Sequence, residues 1–200
     1  MIIPTVEIAG HEDVHTLARV ITEAFLHLPP SAWLVPDLTE RQSLLHHYFA
    51  HLTRHALTHG VVHTTPYRDA VALWFPHGTD PEPAPRMEDL VPVVGAQRAY
   101  RFYVFEETLH AHHPVGTLHQ HLAILAVAPH MQGAGIGTAL LHTHHQTLDR
   151  DGIPAYLEAA THDLPELYRR HGYRPTGTPI RLPGDGTAMW PMWREPHQVT

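Results

Sequence analysis

The stretch from His119 to Leu141 constrains this chain more than any other. Leu122 to Val127 is an unbroken apolar run, as expected of a strand buried on both faces. Pro129 ends it, because proline has no N–H to give a sheet ladder. Gly133, Gly135 and Gly137 then fall at every second position, and Leu140, Leu141 and Leu148 resume an apolar pattern at helical spacing. The reading is a strand, a sharp glycine-rich turn and a helix. A helix that opens on bare glycine amides offers several N–H donors and the positive end of a dipole to an anion.

Two familiar owners of such a phosphate cradle are excluded. No Lys-Ser/Thr follows the last glycine, so the turn is not a Walker A loop. Its spacing also differs from the Gly-x-Gly-x-x-Gly of dinucleotide-binding folds.

Composition narrows the field. Two hundred residues suffice for one domain with a sizeable core. The absence of cysteine removes disulfides and thiol nucleophiles from consideration. A formal charge of −7 argues against nucleic acid as a partner and favours a cationic small substrate. No apolar run reaches membrane-spanning length, and Met1 to Thr5 carry no basic region. Neither a membrane partner nor a secretory signal is expected, and the cytoplasm is the expected compartment. Histidine is abundant, at 22 residues, and His-x-His occurs at His110/His112, His119/His121 and His142/His144. About two such pairs arise by chance at this abundance, so no metal is expected.

Along the chain, Thr5 to Ala9 reads as a strand, and Val14, Leu17, Ala18, Ile21, Ala24 and Phe25 as the apolar face of a helix. Leu28 to Asp37 reads as a proline-broken loop carrying an exposed Trp33. Thr39 to His59 is a second helix, with Leu45, Phe49, Leu52 and Ala56 on its buried stripe and Gly60 as its cap. Val61 to Thr65 and Ala70 to Phe75 form a hairpin, and a proline-rich loop runs from Asp80 to Pro85. An aromatic-rich helix follows, with Tyr100, Phe102, Tyr103, Phe105, Glu106 and Glu107. After the central stretch come a strand over Ala155 to Ala159 and a short helix from Asp163 that ends on Gly172. A closing strand pair, Tyr173 to Ile180 and Thr187 to Trp193, turns at Pro183 to Gly186.

Gln132-x-x-Gly135-x-Gly137 after a Val-x-Pro turn resembles the acetyl-CoA signature of the GNAT N-acetyltransferase superfamily. Glu158 at the end of a strand, ten residues before Tyr168, resembles the second half of that signature. Within the superfamily the chain is most similar to the puromycin N-acetyltransferase type, through Ala70 to Trp74, Gly152 to Glu158, and Trp190-Pro191-Met192. The resemblance implies an α/β (α+β) fold over residues 1–200, a single domain whose first part, to about residue 115, shapes the acceptor site and whose remainder binds acetyl-CoA. The implied sheet is mixed and mostly antiparallel, of about six to seven strands, splayed at the cofactor strand and flanked by helices. It assigns the cofactor to Leu125, Ala126, Val127, Gln132, Gly133, Ala134, Gly135, Ile136, Gly137 and Thr138.

Acetyl transfer to an amine needs a base, donors for the developing oxyanion, and an acid for the leaving thiolate. By resemblance Tyr168 is the acid and the Val127 amide the oxyanion donor. The base is His121, His119 or Glu158; the ordinary histidine pKa of about 6.5 suits the task. Trp33, Tyr100, Tyr103 and Glu107 are the candidates for holding the acceptor. The implied activity is acetylation of a primary amine on a small, antibiotic-like molecule, in a resistance or self-protection role. The alternatives are a peptide or protein N-terminal acetyltransferase and a non-catalytic acyl-CoA sensor. A homodimer is compatible with either.

Overall fold

The structure, a computed structural model, describes residues 4–80, 83–184 and 187–197. Pro81 and Glu82 of the proline-rich loop, and Asp185 and Gly186 of the closing turn, lie outside the described residues.

The chain opens with β1 (Glu7–Ile8), α1 (Val14–Phe25), α2 (Pro29–Leu34) and α3 (Leu38–His59). Leu17, Ala18 and Ile21 bury the inner face of α1 completely, at the helical spacing read from the sequence. The α2 segment corrects the expected loop. Pro29 and Pro30 occupy its first turn, where a missing N–H leaves no bond unmade. Trp33 is therefore buried rather than exposed, and its indole Nε1–H donates to the Pro183 carbonyl at 2.9 Å. Asp37 caps α3 by accepting the Thr39 N–H at 2.9 Å.

The hairpin β2 (Val61–Thr64) and β3 (Ala70–His77) leads to α4 (Met87–Val94) and α5 (Ala96–His110), then to β4 (His119–Val127), α6 (Ile136–Asp151), β5 (Ala155–Ala159) and α7 (Leu164–Arg169). The close is β6 (Arg174–Pro175), β7 (Ile180–Arg181) and β8 (Ala188–Arg194). Among the described residues one sheet of eight strands runs β1-β2-β3-β4-β5-β8-β6, with β7 also on β8. The expected closing pair is thus split: both β6 and β7 lean on β8, which raises the strand number above the expected six to seven. Most pairs are antiparallel, and β4 with β5 is the parallel one. Among the described residues no helix is long and apolar enough to cross a membrane.

Two cores sandwich the sheet. Leu17, Leu45, Phe102, Leu73 and Ile124 belong to one, beneath α1, α3 and α5. Trp74, Leu140, Leu157, Tyr173 and Leu122 belong to the other, beneath α6 and α7. Leu122 and Ile124, two residues apart, fall in different cores because β4 is bulged. Leu73 pairs with Ile124 while Trp74 pairs with Leu122, so Ala123 is an extra residue. A bulge of this kind bends a strand and re-aims the side chains on one side of it.

The β4 strand is not buried on both faces, as its apolar run suggested. Leu122, Ile124 and Ala126 are buried, but Ala123, Leu125 and Val127 are only half-buried. The cause is a splay. Strands β4 and β5 pair at Gln120 with Ala155 and His121 with Tyr156, and nowhere beyond. From Leu122 onward the edge of β4 faces a gap.

Candidate active site

The gap opens into a cavity of about 1540 Å³ between the two halves of the sheet. Its walls include the β4 edge from His121 to Val127, Gln132, Gly133 and Gly135 to Thr138 of the turn, Glu158 and Tyr168, whereas Ala134 does not line it.

Backbone geometry supplies the donors. The Ala128 N–H is engaged toward β3, on the Asp69 carbonyl at 2.8 Å. Amides alternate in direction along a strand, so the Val127 N–H points the other way, into the gap. Gln132 Nε2–H donates to the Val127 carbonyl at 3.1 Å and braces the turn against the strand end. Beyond it the chain enters α6 through Gly135, whose φ of 80° is left-handed backbone that favours glycine.

Gly137 differs. A Cβ there would meet Val127 Cγ2 at 3.7 Å and Leu125 Cδ2 at 3.9 Å, both ordinary contacts. The protein's own packing does not demand glycine at this position, yet the position lines the cavity. Space is left open beside the first amides of α6, where an anion would sit.

The titratable groups gather at the base of the splay. His121 Nε2 lies 2.8 Å from Glu158 Oε2, with 16% and 4% of their side chains exposed. Glu158 Oε1 and the Tyr156 hydroxyl are both buried without a hydrogen bond of sound geometry. Burial, then the neighbouring Glu158 carboxylate, raises the Tyr156 pKa far above its ordinary value. His119, on the same face of β4 as His121, is fully buried and does not line the cavity. Its Nδ1–H donates to the Thr117 carbonyl at 2.7 Å and its Nε2 meets His113 Nε2 at 3.0 Å. His77 and His113 complete a cluster of rings around His121, with centroids 5.7 and 4.9 Å from it. Burial and the adjoining imidazoles hold His113 down to about 2 and His77 to about 4, so both are neutral at working pH.

Tyr168 is 7% exposed and packs edge-on against Tyr173, with centroids 5.8 Å apart. Burial raises its hydroxyl further above the usual phenol value, so it keeps its proton.

The four acceptor candidates do not line the cavity. Trp33 is occupied by Pro183 and by the Arg101 guanidinium over its ring, and Tyr100 is 66% exposed. Tyr100, Tyr103 and Glu107 share one face of α5, whereas Phe105, Glu106 and Leu109 face the cavity. At 100° per residue the two sets lie roughly 150° apart, on nearly opposite faces of the helix. The apolar spacing of Phe102, Phe105 and Leu109 was the signal for the inward face. Tyr48 and His51 of α3 and Glu106 of α5 also line the cavity, and sequence reasoning did not select them. Burial lifts the Glu106 carboxyl to about 7, beside the Tyr48 hydroxyl.

Residues 98–175, which include this strand, turn and dyad, match the model of the acetyltransferase (GNAT) domain. Over 100% of its length the chain is similar to a structure named histone acetyltransferase HPA2 and related acetyltransferase, from Corynebacterium glutamicum. The two share 26% identity and a TM-score of 0.68, with 99% of that chain covered. Two more distant structures share the GNAT fold. One is arylalkylamine N-acetyltransferase 2 from Aedes aegypti, at 12% identity and a TM-score of 0.64 over 96% of this chain and 99% of that one. The other is an N-acetyltransferase from Thermoplasma acidophilum in complex with coenzyme A, at 12% identity and a TM-score of 0.55 over the same shares. GNAT acetyltransferases use acetyl-CoA as acyl donor.

Proposed function

We propose that this protein is an acetyl-CoA-dependent N-acetyltransferase acting directly, in a ternary complex, on a primary amine of a small antibiotic-like molecule. Its role in this reading is resistance or self-protection in the cytoplasm. One observation carries the proposal: a half-buried histidine–carboxylate dyad, His121 with Glu158, stands at the base of a splayed strand whose far end leads into the glycine turn.

Acetyl-CoA supplies the activated thioester. Gly133 to Thr138 receive its pyrophosphate on their amides, which explains why Gly137 is free of a side chain that the fold would accept. Leu125, Ala126 and Val127 pair with its pantetheine arm through the β4 edge that β5 leaves open. A carboxylate oxygen of Glu158 accepts from His121 Nε2–H, which leaves Nδ1 with the lone pair. His121 takes the amine proton on that nitrogen as the nitrogen attacks the carbonyl. The Val127 N–H, aimed into the gap, receives the oxyanion. Tyr168, which keeps its proton, donates it toward the departing sulfur. Glu106, Tyr48 and His51 form the more distant wall, suited to a second polar or cationic group of the acceptor.

The test is thiol release from acetyl-CoA against aminoacyl nucleosides, other amine antibiotics, arylalkylamines and short peptides. Preference for a small amine supports the proposal. Preference for peptides with a free N-terminus, or no release with any amine, contradicts it.

A further inference from the structure

The sequence offers no reason to expect a metal, because its histidine pairs occur at about chance frequency. The fold nevertheless draws ligands from three separate places: the segment after α5, β4 and β5. One ligand atom from each of His113, His121 and Glu158 lies within 4.8 Å of the other two. A tetrahedral zinc ion with bonds of about 2.0–2.1 Å separates neighbouring ligands by roughly 3.4 Å, so modest side-chain movement closes the site.

Three further features suit an ion. His119 donates Nδ1–H to the Thr117 carbonyl and so accepts from His113 Nε2–H, which leaves His113 Nδ1 with a lone pair for an ion. Glu158 supplies a carboxylate and, with its side chain 4% exposed, keeps its second oxygen buried near the Tyr156 hydroxyl without a hydrogen bond of sound geometry. His119, anchored on Thr117, holds the His113 ring in turn, as an outer ligand shell does. A second trio, His77, His113 and His119, shares His113 but has no carboxylate to offset a dication.

We propose that His113, His121 and Glu158 form a zinc site, with a fourth position open to the cavity, and that its occupancy switches acetyl transfer off. The ion takes the place of the proton shared by His121 and Glu158. It withdraws the carboxylate that orients the ring and puts two positive charges where an amine must lose a proton. The inhibitory half rests on the reading of His121 as base; the binding half rests on the side chains alone.

The experiment separates the two. Zinc chloride is titrated calorimetrically into the full metal-free chain, with neither acetyl-CoA nor amine present, and the thiol-release rate is then followed against zinc. The expected result is one tight site per chain. His113→Gln and Glu158→Gln should each weaken it by about 100-fold or more, the upper end of what losing an outer-shell partner costs. His77→Gln should leave it in place, and exposed histidines such as His47 should contribute only weak background. Cobalt(II) in place of zinc, on the unmutated protein, should give the visible absorption of a four-coordinate nitrogen–oxygen site, which guards against a misfolded variant. Tight binding with a matching fall in rate supports both halves. Tight binding with full activity keeps the site and overturns His121 as base. Absence of a tight site, or one that His113→Gln does not move, overturns the proposal and leaves the transferase reading standing. Loss of the site in His77→Gln assigns the ion to the other trio and overturns it as well.

Discussion

His121 and Glu158 are joined by a 2.8 Å hydrogen bond at the last residue where β4 and β5 still pair. The sheet itself therefore sets the dyad: the parallel register of His121 with Tyr156 puts Glu158 two residues further, on the strand that turns away. Glu158→Gln keeps the shape but brings an amide that can donate to Nε2 and favour the other tautomer. Turnover should fall by roughly 10²-fold or more while the melting temperature stays close to wild type. Steady-state kinetics beside thermal unfolding checks this, and unchanged turnover removes Glu158 from the mechanism.

Tyr168→Phe keeps the ring against Tyr173 and removes only the hydroxyl. If that hydroxyl protonates the thiolate, turnover should drop by roughly 10²–10⁴-fold with acetyl-CoA affinity little changed. Near-full turnover, where chemistry limits the rate, would leave Tyr168 as packing alone.

Gly137→Val separates ligand from fold. The protein has room for the new Cβ, so CoA affinity should fall by far more than folding stability. The dissociation constant for CoA should rise by at least about tenfold, or 1.4 kcal/mol. Substitution at Gly135 cannot make this distinction, since its φ of 80° strains any side chain whether or not CoA is bound. An unaltered CoA affinity in folded Gly137→Val would remove the cradle.

Acid should destabilise this protein early. His144, stacked on Trp74, and His145, bonded to Tyr173 at 3.0 Å, are each held down to about 3 by burial. Their unfolded counterparts protonate near 6.5, so the unfolded state binds more protons below that pH. Their contribution is whole above about pH 6.5 and is lost as pH falls toward 3, by up to about 1.4 kcal/mol per pH unit for each proton taken up. Glu106 acts with the opposite sign: its carboxyl is raised to about 7, so stability declines as pH climbs from its ordinary value of 4.5. Urea unfolding between pH 4 and 8 should show a lower midpoint at pH 5 than at pH 7, with a smaller difference in His145→Gln. Glu106→Gln should be more stable than wild type at pH 8 and no more stable at pH 4.

What could be read from sequence was local. The β4–turn–α6 unit, Glu158 closing β5 and Tyr168 in α7 each depend on spacing within some twenty residues. The α2 helix escaped because two prolines read as a break, although at a helix start they are compatible with the first turn. The cavity-facing side of α5 escaped because aromatics lie on several sides of that helix, and packing against Tyr48 and the sheet, not composition, decides which turns inward. His77 and His113 were beyond reach, since only the register of β3 with β4 and the path after α5 bring them to His121.

The central claim is that an acetyl group passes directly from acetyl-CoA to an amine held at the His121–Glu158 dyad. The most direct measurement is a single turnover with acetyl-labelled acetyl-CoA and excess protein, first alone and then with an accepted small amine. The account predicts that the label stays on CoA until the amine arrives, then appears on the amine with one thiol released per acetyl. Label bound to the protein, or thiol release that does not require the amine, would contradict it.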